Sequence, residues 1–340
     1  MCAEPIGRRV NNRRKLVIAL GAGALGSPLA SFAQQPERVR RIGALINLAA
    51  DDQESKIQVA AFLRGLQEAG WTVGRNVLID YRWTEGNADR VRKYAAELVA
   101  LAPDVILTTG GSHLGPLQQA TRTVPIVFVQ VADPVGGGFV ESLARPGGNT
   151  TGFTVFEFDI SAKWLELLKE IAPRMKRVAV LRDPTNPSGT GLMGAIQAVA
   201  PSFGVEVSSP VGLRDTGEIE RGVAAFARVQ DGGLIVTPAS FAIVHRDLIV
   251  KLAARHRLPA IYPFRIFANS GGLLSYGPDV VDQYWRAAGY VNRILKGESP
   301  ANLAVQRATK QDLVINVSTA KALGLTIPQA LLVRAAEVIQ

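Results

Sequence analysis

The chain has 340 residues, 47% of them hydrophobic and 20% charged, which is room for one large domain or two of ordinary size and excludes a disordered chain. The formal charge of +9 does not mark a nucleic-acid binder: Arg8, Arg9, Arg13, Arg14 and Lys15 against Glu4 put +4 into the first 33 residues and leave +5 thinly spread, with no dense Lys/Arg cluster interleaved with aromatics. Cys2 is the single cysteine, so disulfides, Cys metal sites and a Cys nucleophile in the body of the chain are excluded, and His113, His245 and His256 lie too far apart in sequence for a zinc motif.

In chain order, residues 16–35 read LVIALGAGALGSPLASFAQQ and contain a G-x-G-x-x-G at Gly21, Gly23 and Gly26. A dinucleotide fingerprint needs a strand before it and a full helix after it. Pro28 and Pro36 interrupt the second, and residues 31–35 have no amphipathic period. An export signal accounts for the same residues: Arg13-Arg14-Lys15 is a positive n-region, 16–29 is an apolar run too short to span a bilayer, and Ser31-Phe32-Ala33 places small residues before a cleavage site near Ala33. Sec and twin-arginine export both fit this segment. The expected product is a cysteine-free, exported periplasmic chain.

From residue 40 the pattern alternates strand and helix. RIGALIN, NVLIDYRW, DVILTT and PIVFVQ read as strands, separated by helical stretches over 54–69 and 89–101 and a short helix after Pro116. The pattern then restarts with KRVAVLRD, GVEVSS, GLIVTPAS and LPAIYPF. Two Rossmann-like α/β halves with parallel sheets follow. After them come a strand at 271–279, a strong helix over 280–296, a strand at 311–317 and a last helix ending near Ile339. These late elements find places if the chain crosses between halves three times, near Thr150, Gly272 and Gln311, forming a hinge. The expected lobes are 40–150 with about 276–310, and 155–271 with about 311–340.

Ligands of open parallel sheets sit beyond the carboxyl ends of the strands. Those ends supply Asp51, Thr109, Gly110, Ser112, Gln130 and Asp133 in the first half, and Asn186, Ser240, Tyr262 and Tyr276 in the second. The Gly-rich turn and hydroxyls suit an anionic group such as a carboxylate. Asp51 or Asp133 suits an ammonium, and the tyrosines suit an apolar or aromatic side chain. Each aspartate taken singly also reads as a turn or N-cap residue. No nucleophile elbow or Walker motif is present, so no catalysis and no cofactor is expected. A secreted α/β hydrolase using cleft carboxylates and a ligand-sensing module for a membrane receptor are the rival readings.

The blocks APDVILTTG, VADPVGGGFVESLARPGGNTTG, ANSGGLLSYGPD and VINVSTAKALGLTIP, from Arg40 to about Ala330, resemble the ABC transporter substrate-binding protein family of tryptophan/tyrosine type. The resemblance implies the periplasmic-binding-protein type 1 fold, with two lobes, a three-crossing hinge and a cleft. It further implies a monomer that captures a small carboxylate-bearing solute, such as an amino acid, for an inner-membrane ABC permease, with no turnover, no cofactor and no nucleic-acid partner.

Overall fold

The computed structural model describes residues 38–155, 157–184, 187–212, 215–308 and 310–340; the export segment and Asn186 lie outside them. Residues 39–340 form one compact unit. Its strands are β1 (Arg40–Ile46), β2 (Val77–Trp83), β3 (Val105–Thr109), β4 (Ile126–Val131), β5 (Thr150–Thr154), β6 (Arg177–Arg182) and β7 (Glu206–Gly212). They continue with β8 (Gly232–Val236), β9 (Ala260–Tyr262), β10 (Leu274–Gly277), β11 (Gln306–Arg307), β12 (Asp312–Asn316) and β13 (Glu337–Ile339).

Two sheets result, ordered β11-β5-β4-β3-β1-β2 and β13-β12-β10-β9-β8-β6-β7. The first is parallel throughout. The second is parallel from β7 to β10 and carries β12 antiparallel to β10, with Leu274 opposite Ile315. The two five-strand cores therefore repeat one order: β2-β1-β3-β4-β5 in the first half, β7-β6-β8-β9-β10 in the second. Each reverses direction between its first and third strands, the switch point where a doubly wound sheet opens a crevice.

Burial follows the pleat. In β1, Ile42, Ala44 and Ile46 join one core, while Leu45 faces a second core with Ile106, Phe128, Leu98 and Leu117. Both faces of the sheet are covered, which is why its strands read as unbroken apolar runs. The helix Gln53–Glu68 starts at Asp52, whose side chain accepts from the Glu54 and Ser55 N–H groups. It packs on the helix Val280–Leu295, and the crossing is close: a Cβ on Gly65 would lie 2.6 Å from the Trp285 carbonyl oxygen and 2.8 Å from Ala288 Cβ.

The chain passes between sheets after Thr154, after Gly277 and between Arg307 and Asp312. The first two passages fall a few residues beyond Thr150 and Gly272, because 150–154 pairs with β4 and 274–277 pairs with β9 before the chain leaves. Two helices also differ from expectation. The one near Pro116 begins at Gly111 and contains the proline; a ring five residues into a helix removes one intrahelical bond without preventing the first turn. The final segment divides into the helices Val317–Ala322 and Gln329–Arg334 followed by β13, whose N–H and C=O groups extend the second sheet beside β12.

Candidate functional site

The carboxyl ends of both sheets face one another across a cleft holding three cavities. The largest, about 620 Å³, lies at the mouth between Asn87, Ser112, Pro116 and Phe139 of the first half and Asp183 and Phe241 of the second. A second, about 20 Å³, lies deeper among Asn47, Gly110, Gln130, Ala239, Ser240 and Phe264. A third, also about 20 Å³, lies toward the passages between sheets, among Glu54, Gln58, Gln130, Phe264, Arg265 and Asp279. Shared walls join them in a row: Ser112 and Ser240 bound the first and second, Gln130 and Phe264 the second and third. The middle cavity is at the switch point of the first sheet, between Asn47 after β1 and Gly110 after β3, and faces Ser240 after β8 and Phe264 after β9 of the second; Asp183 after β6 joins Ser240 in the wall of the mouth cavity.

The two halves touch across this cleft. Ser112 Oγ and Ser240 Oγ are 3.1 Å apart. Ser188 Oγ donates to the Ala132 carbonyl at 2.6 Å. Arg246 Nη2 donates to Asp52 Oδ2 at 2.8 Å, both side chains largely buried. Gly110 sits at φ +83°, and a Cβ there would lie 3.1 Å from Ser240 Oγ; a side chain would meet both backbone strain and the opposite half.

Gln130 is aimed into the cleft by a break in β4. Its φ is +58°, its N–H leaves the ladder to donate to Gln283 Oε1 at 3.1 Å, and the β4–β5 register shifts between Phe128 and Val131. Such a bulge re-aims a side chain. Among the described residues, Asn47 Oδ1 and Gln58 Oε1, on side chains that line the cavities with it, have no hydrogen-bond partner, and neither do Ser55 Oγ and Arg246 Nε of the two residues that bond to Asp52. Unmet groups of this kind are rare in interiors. Burial raises the carboxyl pKa of Glu54, opposed by the hydrogen bond from Gln58.

Of the residues expected from the sequence, Gly110, Ser112, Gln130 and Ser240 come together in the cleft. Asp51 is exposed in the turn before the helix, and its neighbour Asp52 makes the cap and the cross-cleft pair instead. The Thr109 hydroxyl is held at 2.5 Å by the buried Tyr284 hydroxyl, behind the sheet. Asp133 Oδ1 accepts the Gly136 N–H at 2.9 Å and closes a turn. Tyr262 is buried and stacked on Phe267 at 4.9 Å, away from the cavity walls. Tyr276 is half-buried, lines none of the three cavities, and gives its carbonyl to Trp164 Nε1 at 2.8 Å. The sequence reading passed over Glu54, Gln58 and Arg246. The signal for the first two was available: Glu54 and Gln58 are polar positions four apart on a helix, the spacing that puts both on one face.

His113 is fully buried between Thr84 Oγ1 at 3.1 Å and Thr108 Oγ1 at 3.4 Å, and desolvation lowers its pKa to about 4. Burial favours its neutral form, and it lies in the wall of the mouth cavity. Among the described residues no group of His, Cys, Asp and Glu is placed to hold a metal ion, and no helix is long and apolar enough to cross a membrane.

Two doubly wound α/β lobes with facing switch points and a cleft between them define a two-lobed binding protein. The chain belongs to the family described as ABC transporter substrate binding protein, whose model matches residues 46–339. A tyrosine-binding protein of Clostridioides difficile is 24% identical over 264 residues, covering 78% of this chain and 75% of that one. Among solved structures, a conserved domain protein from Vibrio cholerae is 28% identical with a TM-score of 0.82, covering 88% of this chain and 100% of that chain. An ABC domain in complex with L-Trp from Streptococcus pneumoniae is 25% identical with a TM-score of 0.81, covering 88% and 99%. The family is one of substrate-binding proteins rather than enzymes, which removes the hydrolase reading.

Proposed function

We propose that the protein captures a small amino acid-like solute in the cleft between its lobes, outside the cytoplasm, and presents it as a monomer to an inner-membrane ABC permease. The observation that carries this reading is the row of cavities at the carboxyl ends of two facing sheets, lined in part by Asn47 and Gln58, whose buried amide oxygens have no hydrogen-bond partner among the described residues. A solute with both charged and apolar parts would satisfy those atoms while filling the space. The helix Gly111–Ala120 starts at the cleft, so its first N–H groups and the Ser112 hydroxyl suit a carboxylate. Phe241 and Phe139 at the mouth and Phe264 deeper suit an apolar or aromatic side chain. The tyrosine-binding and L-Trp-bound relatives support an aromatic amino acid as the first solute to test.

Capture would proceed by hinge closure about the three passages between sheets. A solute seated on one lobe supplies contacts for the other and shifts the population toward the closed form. The existing contacts of Asp52 with Arg246 and Ser112 with Ser240 show what the lobes offer each other when near. A thermal-shift screen of the purified chain against amino acids, aromatic and branched carboxylates and nucleosides tests the reading. A solute bound at 100 times its Kd raises stability by about 2.7 kcal/mol. An upward shift confined to amino acids supports it; a shift confined to nucleosides or to carboxylates without an amine overturns it.

A further inference from the structure

The cavity toward the passages between sheets is lined by side chains whose polar atoms are not all matched. Gln58 is 3% exposed; its Nε2 donates to Glu54 Oε1 at 3.1 Å, and its Oε1 is left buried without a donor. Asn47, 1% exposed on the adjoining cavity, likewise leaves Oδ1 without a donor. Glu54 lines the same cavity as Gln58 and makes no ion pair among the described residues. The nearby cations have carboxylate partners of their own: Arg246 pairs with Asp52 through Nη2, its Nε making no hydrogen bond among the described residues, and Arg265, which lines the same cavity, pairs with Glu337. Glu54 and Gln58 thus bring a carboxylate and an unmatched amide oxygen to the lining of one cavity, and Asn47 brings a second amide oxygen to the lining of the adjoining one. All are acceptors, and buried acceptors are retained where something donates to them.

The size of the space narrows the donor. About 20 Å³ holds one water-sized group. A primary ammonium is of that size and brings three N–H donors with a charge opposite to that of Glu54. An N-acyl or N-dialkyl group is too large. Phe264 closes the space from the other lobe with an apolar wall.

We infer that Glu54 and Gln58 form the seat for a primary ammonium group of the solute, making Glu54 the residue by which this chain separates free amines from solutes of the same shape that lack one. The inference rests on the proposed function and goes beyond it by assigning the amine's position and the rule of selection. N-acetylated and deaminated analogues are rejected by it, the first by size and the second because buried acceptors stay unmet.

Isothermal titration of the purified chain with L-tryptophan, L-tyrosine, N-acetyl-L-tryptophan and indole-3-propionate tests the assignment, on wild type and on Glu54→Gln and Gln58→Met. Wild type is expected to bind the free amino acids at least about tenfold more tightly than either analogue. Glu54→Gln is expected to lose about tenfold or more for the amino acids while leaving indole-3-propionate within about twofold, with an unchanged melting temperature. Gln58→Met, which keeps the volume and removes the acceptor, is expected to weaken the same ligands. Wild-type binding of the amino acids with Glu54→Gln equal to wild type would overturn the seat and leave the proposed function standing. Failure of wild type to bind either amino acid, with indole-3-propionate bound, would overturn both.

Discussion

Asp52 and Arg246 meet at 2.8 Å across the cleft, and the same aspartate caps the helix that begins beside it. Oδ1 takes the Glu54 and Ser55 N–H groups at 2.9 and 3.4 Å, leaving Oδ2 for the guanidinium of the opposite lobe. Helix start and lobe contact are thus joined in one side chain. Two substitutions separate them. Asp52→Asn keeps a good cap and removes the charge, so it is expected to cost about 2 kcal/mol through the lost charge-assisted bond. Asp52→Ala is expected to cost about 1 kcal/mol more, the worth of the cap. Urea unfolding of both variants reads the difference. No loss in Asp52→Asn would show that the cross-lobe pair contributes nothing, and equal losses in the two would show that the cap contributes nothing.

His113 predicts an acid limb in the stability curve. Above its ordinary pKa of 6.5 the imidazole is neutral in folded and unfolded chains alike, so no pH-dependent difference arises. Below 6.5 the unfolded chain takes up a proton that the folded chain, with its pKa lowered to about 4 by burial, does not. Stability should therefore fall as pH drops from 6.5 toward 4, by on the order of 3 kcal/mol from this group. Melting temperatures of wild type and His113→Asn across that range check it. The variant should show a shallower slope there, and parallel curves would assign the acid limb to other groups.

Asp133 should behave as a turn residue. Its carboxylate is spent on the Gly136 N–H, and its φ of +37° is unusual for a residue with a Cβ. Asp133→Ala is expected to lose about 1 kcal/mol of stability with solute affinity unchanged. Tenfold weaker binding of a solute identified in the thermal-shift screen, at unchanged stability, would return Asp133 to the list of contacts.

Tyr262 carries a buried hydroxyl with no hydrogen-bond partner among the described residues. Burial also pushes its pKa up, so the group stays protonated. Removing an unsatisfied hydroxyl while keeping the ring and its stack on Phe267 should not destabilise. Tyr262→Phe is expected to match or exceed the wild-type melting temperature and to bind solute as wild type does. A clear loss of either would mean that the hydroxyl has a role that its present surroundings do not supply.

Much of the architecture was readable along the chain. Apolar runs such as DVILTT and GLIVTPAS, separated by amphipathic stretches, identify β3 and β8 and their equivalent places in two repeated halves, because burial on both faces of a parallel sheet leaves a local mark on every residue of the strand. Gly110, Ser112, Gln130 and Ser240 were located by the same logic, since strand ends in such sheets all point one way. The turn aspartates were harder: Asp51, Asp52 and Asp133 look alike in sequence, and only Asp52 reaches the other lobe.

What the sequence by itself determined is the two-sheet plan, the repeated succession of strands and helices and the side of each sheet on which a ligand belongs. These rest on periodicity and on connection handedness, which neighbours along the chain decide. The tertiary structure alone decided which polar groups are left without partners in the cleft. That depends on the bulge that turns Gln130 inward, on Tyr284 claiming the Thr109 hydroxyl from a helix 175 residues away, and on Arg246 arriving beside Asp52 from 194 residues away. A hydrogen bond is satisfied or not by atoms within about 3 Å of it, and no local pattern records which distant side chains will come that close.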